Sequence, residues 1–455
     1  MKVLDYARAN QDRFLAELKE FLRIPSISTQ LEHKPDIERA AVWLHDQLLA
    51  AGFPQVEVMP TPGHPVVYAQ WLAAGPHAPT ILVYGHYDVQ PPDPLEQWDT
   101  PPFEPTVVGD DLFGRGASDD KGQLYAHVKA IEALRQTAGA PPVNVKCILE
   151  GEEECGSPSL EPFIRQHTGL LAADVAVISD ADILSKDLPS IVYALRGMAY
   201  VEVEVSGPDH DLHSGIYGGA VHNPINALCA MIARLQDERG RITIPGFYDQ
   251  VRELSPGERA ELAKIPFERE AWLREAGVET DWGEAAYTIT ERTTARPTLD
   301  VNGMWGGYTQ PGAKTVLPSK AYAKISMRLV PDQKPAHILQ LIRDYLTEIA
   351  PPGIKVEVRG LHSGESAIVR RDSPAMQAAF RAYAETFGRQ PIFVRAGGSI
   401  PVVATFQKVL GIETIMMGFG LPDDRLHSPN EKFHLPNFYK GIETILHFMY
   451  FLGEL

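Results

Sequence analysis

The chain has 455 residues, 44% of them hydrophobic and 22% charged, which is the composition of an ordinary globular protein large enough for two or three domains at roughly 150 residues each. Its 42 basic and 59 acidic residues leave a net charge of −17, which disfavours nucleic acid or an anionic membrane as partner. Three cysteines (Cys147, Cys155 and Cys229) are too few for a disulfide scaffold and point to a reducing, cytoplasmic setting.

Met1–Leu22 reads as one amphipathic helix without the apolar stretch of a secretory signal, and no run is long and apolar enough to span a membrane. A helix over Ala40–Ala51 stops at Gly52. Strands follow at Val66–Trp71, Ile81–Tyr84, Val143–Leu149 and Val175–Ile178, with a helix at Lys121–Thr137. This alternation predicts an α/β fold with a mostly parallel, doubly wound sheet. From about residue 196 the pattern changes. Tyr200–Val205 alternates strictly, Asn223–Glu238 reads as a helix, Lys320–Leu329 alternates again, Pro335–Ile349 is a helix, and Ile354–Val358 is a last strand. That order predicts a split βαβ, ferredoxin-like α+β domain. Between its halves, residues 245–312 read as a polar insertion with little strand signal, where Ser255-Pro256-Gly257-Glu258 has capping-box spacing. The α/β pattern resumes at Ile392–Arg395 and Thr414–Met417 and closes with a helix at Leu435–Leu452. The expected domains are therefore a discontinuous one over 1–192 and 388–455 and an inserted one over 193–387.

Potential metal ligands follow the ends of apolar runs: His86 after Ile81–Tyr84, the Glu152-Glu153-Glu154 run after Val143–Leu149, Asp180 after Val175–Ile178, and His427 after Thr414–Met417. Asp119 follows the glycine-containing Gly114–Ser118. Open α/β sheets carry their chemistry at the carboxyl ends of strands, and a His, Asp and Glu set there suits a divalent cation. In His86-Tyr87-Asp88 the Asp88 carboxylate can accept the second ring N–H and fix the tautomer. Asp119 stands either at a helix N-terminus, where acidic residues are favourable, or between two cations as a bridge. Adjacent glutamates in the 152–154 run repel one another unless cations are near, so one suits a ligand and another a general base; a solvated acidic turn is the competing reading. No nucleophile elbow, phosphate loop or dinucleotide fingerprint is present.

These segments resemble the zinc peptidase family M twenty, whose members include carnosine dipeptidases, cytosolic non-specific dipeptidases and aminoacylases. The resemblance is carried by Gly85-His86-Tyr87-Asp88, Gly114–Gly122, Glu150–Ser157, Ile178–Asp180, Asp211–Gly219, Gly397-Gly398-Ser399-Ile400-Pro401 and His427-Ser428. The Asp211–Gly219 stretch is most similar to the dipeptidase branch. The resemblance implies two divalent metal ions per subunit, zinc or alternatively manganese or cobalt. His86, Asp119, Asp180, Glu154 and His427 would be the ligands, with Asp119 bridging. It makes Glu153 the general base acting on a water shared by the metals, and Asp88 the residue that orients His86. His213 would stabilise the oxyanion, reaching into the other subunit's site in a homodimer formed through the inserted lid domain. Arg328, Thr315, Ser399 and Gly398 would hold the substrate carboxylate. The implied reaction is hydrolysis of the amide bond of dipeptides. An N-acyl or N-carbamoyl amino acid amidohydrolase, or a non-catalytic metal-binding protein on the same fold, are the alternatives. His210, His222 and His362 are given no role.

Overall fold

The computed structural model describes residues 2–398 and 400–454. The chain divides into two compact units, Met1–Tyr193 with Val369–Val394 and Val402–Leu455, and Ala194–Ile368 with Arg395–Pro401.

In the first unit the sheet runs in the order Gln55–Met59, Val66–Trp71, Asn144–Glu150, Thr80–His86, Val175–Ile178, Glu413–Met416, Ser190–Leu195. The four strands from Asn144–Glu150 to Glu413–Met416 are mutually parallel, and the pairs on either flank are antiparallel. All seven residues of Asn144–Glu150 are buried, as expected of a parallel strand covered on both faces. The helix Lys34–Ala51 buries Ile37, Ala40, Ala41, Leu44, Leu48 and Ala51, a helical stripe, and ends where Gly52 turns left-handed at φ 104°. A Cβ there would meet the Arg135 side chain. Lys121–Ala138 is buried throughout its first fourteen residues and packs against the closing helix Leu435–Gly453.

Several elements differ from the sequence reading. The amino-terminal helix is two helices, Lys2–Ala9 and Gln11–Leu22. The break falls at Asn10, whose side-chain amide donates to the Tyr6 carbonyl, the local competition that makes Asn a poor helix-interior residue. The chain returns to the first unit at Val369 rather than at residue 388, because the helix Pro374–Phe387 packs on Leu435–Gly453.

The second unit holds a four-stranded antiparallel sheet in the order Thr298–Gly306, Lys320–Leu329, Gly197–Ser206, Lys355–Gly364. With helices Pro224–Ile232 and Pro335–Glu348 this is the ferredoxin-like arrangement. Val201, Val203, Val205, Ala323, Ile325 and Met327 form its core with Leu228, Met231, Ile338 and Ile342. Thr298–Gly306 lies inside the stretch read as polar insertion. It is an edge strand, mostly exposed, with a register shift between Val301 and Gly303, so it carries no apolar alternation. The first helix ends at Ile232 instead of Glu238. The Asp237 carboxylate accepts the backbone N–H groups of Arg239 and Arg241, each at 2.9 Å, and so holds a turn in place of the last helical residues. The capping box at Ser255 and Glu258 is formed. All three cysteines are free, and Cys147 is buried in the sheet. No helix is long and apolar enough to cross a membrane, among the described residues.

Candidate active site

His86 is the last residue of its strand, and Asp180 lies two residues beyond Val175–Ile178. Glu153 and Glu154 form a single turn just after Asn144–Glu150, and His427 sits in the loop after Glu413–Met416. The parallel strands thus deliver these side chains to one end of the sheet, and Asp119 arrives from the loop before the helix Lys121–Ala138.

Two groups of potential ligand atoms form among the described residues: His86, Asp119 and Asp180, and Asp119, Glu154 and His427. In each group the atoms all lie within 4.8 Å of one another. Asp119 is common to both. Its Oδ1 lies 3.0 Å from His86 Nε2, and its Oδ2 lies 2.9 Å from His427 Nε2. Glu154 Oε2 is 3.3 Å from the same His427 nitrogen.

Asp88 is fully buried beneath this set. Its Oδ1 stands 3.4 Å from His86 Nδ1, whose nearer contact is the Asp88 carbonyl at 3.1 Å. The same carboxylate accepts the backbone N–H of Glu153 at 3.2 Å and of Glu154 at 3.0 Å. One side chain therefore orients both the imidazole and the turn that carries the two glutamates.

The electrostatics show what the set attracts. Burial opposes an imidazolium at His86, yet the neighbouring carboxylates of Asp119 and Asp88 draw its pKa well above the ordinary value. His427 is raised to about 10 by its bonds to Asp119 and Glu154. Burial acts against Asp119 as an anion, but the two imidazoles hold it well below the usual carboxylate range. Burial, followed by the charge of Asp119, pushes Asp180 up to about 7. Burial also lifts Glu153 to about 9, with Asp180 and Glu154 adding to the rise and His86 opposing it. Clustered carboxylates that cannot all ionise, beside imidazoles that they protonate, lack positive charge. His86 Nε2 is buried and makes no aligned hydrogen bond, although a carboxylate oxygen is 3.0 Å away. A nitrogen and an oxygen that converge without a hydrogen bond between them suit a shared cation, and carboxylates with imidazoles suit zinc, manganese or cobalt. The residues present fit two divalent ions.

Other site residues expected from the sequence lie in the second unit. His213, exposed, ends the short strand Leu212–His213, which pairs with Val316–Leu317, and the Ser214 N–H donates to the Thr315 carbonyl at 3.0 Å. His213 and Thr315 are thereby brought together. Arg328 lies on Lys320–Leu329 opposite Met198 and Thr298. Its neighbour Arg196 has a pKa lowered to about 10, by burial first and by the Arg328 charge second. The Arg196 backbone N–H donates to the Gly398 carbonyl at 3.1 Å and its Nε to the Gly397 carbonyl at 2.9 Å. Ser399 lies outside the described residues. His362 is on the edge strand Lys355–Gly364, opposite Tyr200.

Several supporting residues escaped the sequence reading. The Gln90 amide donates to Glu154 Oε2 at 2.8 Å. Glu152 steadies the neighbouring chain, its carboxylate accepting the N–H groups of His64 and Ser159. Arg115 and Glu431 form a buried ion pair at 2.7 Å beside Asp119. Charged residues within glycine-rich or ligand-bearing loops were the available signal for Arg115 and Glu431; Gln90 carried none.

Peptidase family M20/M25/M40 matches residues 82–450. The Cys-Gly metallodipeptidase dug1 of Schizosaccharomyces pombe is 34% identical over 100% of this chain and 98% of its own length. The Beta-Ala-His dipeptidase of Homo sapiens is 32% identical over 100% of this chain and 93% of its own. Among solved structures, the M20 family metallo-carboxypeptidase Sso-CP2 from Sulfolobus solfataricus superposes with a TM-score of 0.86 at 34% identity, covering 97% of this chain and 99% of that one. Human carnosine dipeptidase 1 gives 0.82 at 32% identity, over 100% and 98%. Likeness of that extent, in sequence and in fold together, makes this chain a hydrolase of the M20 metallopeptidase family.

Proposed function

We propose that the chain is a dipeptidase that cleaves the amide bond of its substrate with two divalent cations, one held by His86, Asp119 and Asp180 and the other by Asp119, Glu154 and His427. One observation carries the reading: the two oxygens of Asp119 face one imidazole each, at 3.0 and 2.9 Å. Such a pair, when bound, supplies Lewis acidity that polarises the amide carbonyl and makes water acidic near neutrality. Glu153 is the general base. It takes a proton from the attacking water and hands it to the leaving amine nitrogen. Asp88 holds Glu153 and His86 in mutual register through the bonds described above. Within a homodimer His213 stabilises the oxyanion in the other subunit's site, and Arg328, Thr315, Gly398 and Ser399 recognise the substrate carboxylate, for which a planar guanidinium is suited. The names of the relatives, Cys-Gly and Beta-Ala-His dipeptidases, support a two-residue peptide as substrate. Zinc is the proposed metal, the cytoplasm the proposed location, and a homodimer through the second unit the proposed assembly, which light scattering tests.

Glu153→Ala should reduce hydrolysis of a dipeptide panel by about 100- to 10,000-fold while elemental analysis still finds two metal ions per subunit. Turnover near that of the native chain would refute the assignment of the base. Preference for N-acetyl or N-carbamoyl amino acids over every dipeptide would refute the substrate class.

A further inference from the structure

Four of the five candidate ligands lie outside the strands, and the loops of Asp119 and His427 flank one antiparallel strand pair, Asp111–Phe113 with Lys432–His434. The loop of His427 is the most demanding. Arg425, His427 and Asn430 have φ of 56°, 59° and 63°, a left-handed conformation that costs a non-glycine residue on the order of 1 kcal/mol. Asp424 Oδ2 holds part of the loop by accepting the Leu421 N–H and the Ser118 hydroxyl, and Asn430 Oδ1 accepts the Asp99 N–H. Arg115 and Glu431, both essentially inaccessible to solvent, lie where the loops meet. Glu431 Oε1 accepts the N–H groups of Ser118 at 3.0 Å and Asp119 at 3.1 Å. Its Oε2 accepts the Gly116 N–H at 2.9 Å and Arg115 Nη1 at 2.7 Å. Arg115 Nη2 then donates to the Ser428 carbonyl at 3.2 Å, next to His427, and to the Pro91 carbonyl at 3.3 Å in the segment that follows His86. The guanidinium also sits over the Trp98 ring at 5.5 Å.

A buried ion pair adds little net stability, because desolvation of the charges offsets their attraction. Its value here is geometric. We propose that Arg115 and Glu431 are positioning residues of the metal centre, a buried clamp that sets the loops of Asp119 and His427 in register so that each oxygen of Asp119 meets one imidazole. Neither residue is a ligand or touches substrate. The inference rests on the two-metal reading above.

Two conservative variants test it. Arg115→Lys keeps the charge but loses the planar fork, in which one nitrogen reaches Glu431 and the other reaches Pro91 and Ser428. Glu431→Gln keeps the shape and sets an amide donor against backbone N–H donors. Cobalt(II) or zinc is titrated calorimetrically into the chelator-stripped native chain and both variants. Amide hydrogen exchange is measured on the metal-free proteins, and kcat and KM on the reloaded ones. In Arg115→Lys one of the two binding events should weaken about 10- to 100-fold while the other stays within a few-fold, and exchange should rise first at residues 426–430. In Glu431→Gln both events should weaken, since Asp119 is shared, and exchange should rise at 116–119. In both, kcat should fall with KM near the native value. Two ions bound with native affinity and unchanged exchange in both variants would overturn the proposal. So would exchange raised equally in the strands Thr80–His86 and Asn144–Glu150, the pattern of a general loss of stability. If the native chain itself binds fewer than two ions, the two-metal reading fails, and exchange in the metal-free proteins still decides the clamp.

Discussion

Asp88 is the residue on which the two kinds of site chemistry converge. Its carboxylate stands against His86 Nδ1 and accepts the backbone N–H groups of Glu153 and Glu154. The nitrogen of a proposed ligand and the position of the proposed base therefore depend on one buried carboxyl group. Asp88→Asn keeps the volume but replaces an acceptor oxygen with an NH2 donor, so at least one of the three groups facing it loses its acceptor. Burial makes that costly, on the order of 1–3 kcal/mol. Metal affinity should fall about 10- to 100-fold, as for other residues that orient ligands. Because Glu153 moves with its turn, kcat should remain depressed even when excess metal restores full occupancy. Competition with a chromophoric chelator gives the first quantity and turnover at saturating metal the second. Full recovery of kcat on saturation would mean that Asp88 acts on His86 alone.

At the scale of elements, the helix Lys121–Ala138 fixes the loop before it by close approach. A Cβ built on Gly122 would lie 2.0 Å from the Ala117 carbonyl oxygen and 2.7 Å from a Phe433 ring carbon. Gly to Ala inside a helix ordinarily gains about 1 kcal/mol. Here the clash is with backbone, which cannot rotate away, and overpacking of this kind costs about 1–3 kcal/mol. Gly122→Ala should therefore destabilise the chain in urea unfolding and weaken metal binding with it, since Ala117 and Asp119 share the displaced loop. A net gain in stability would show that the loop yields freely. Much of this layout was legible in the sequence. Val66–Trp71, Val175–Ile178 and Lys320–Leu329 are legible to the residue, because strands covered on both faces are largely apolar runs and a half-buried strand alternates. The edge strand Thr298–Gly306 is not, since an exposed, bulged edge buries almost nothing that could leave a pattern. The site divides in the same way. His86, Asp119, Glu154, Asp180 and His427 were visible as acids and imidazoles at strand ends or loops, and they do converge. Gln90, Arg115 and Glu431 act through bonds to residues as far as 316 positions away, and spacing along the chain holds no trace of such a bond.

For the molecule as a whole, the metal and the pH dependence of stability are linked. In the metal-free chain burial lifts Asp180 from an ordinary 3.8 to about 7 and Glu153 from 4.5 to about 9. A carboxyl whose folded pKa is raised is held more tightly as the acid in the folded state. Its contribution is complete below the unfolded pKa and is lost as pH climbs through the folded value. The window is about 4 to 7 for Asp180 and about 4.5 to 9 for Glu153, and each group takes away at most about 1.4 kcal/mol per pH unit inside it. His427, raised to about 10, acts in the same direction above its ordinary 6.5, less strongly because it is half exposed. The chelator-treated protein should therefore lose stability steadily from about pH 5 to pH 9. Cations reverse the sign. They bind the deprotonated carboxylates and neutral imidazoles, so their affinity, and with it the stability that they add, rises as protons leave. Melting temperatures taken across this range with and without saturating zinc should diverge with rising pH, the metal-free curve falling and the gap to the loaded curve widening. Parallel curves would mean that no cation takes the place of these protons. The five side chains gathered at the end of the sheet would then be an acid cluster that the fold tolerates, and not a metal centre.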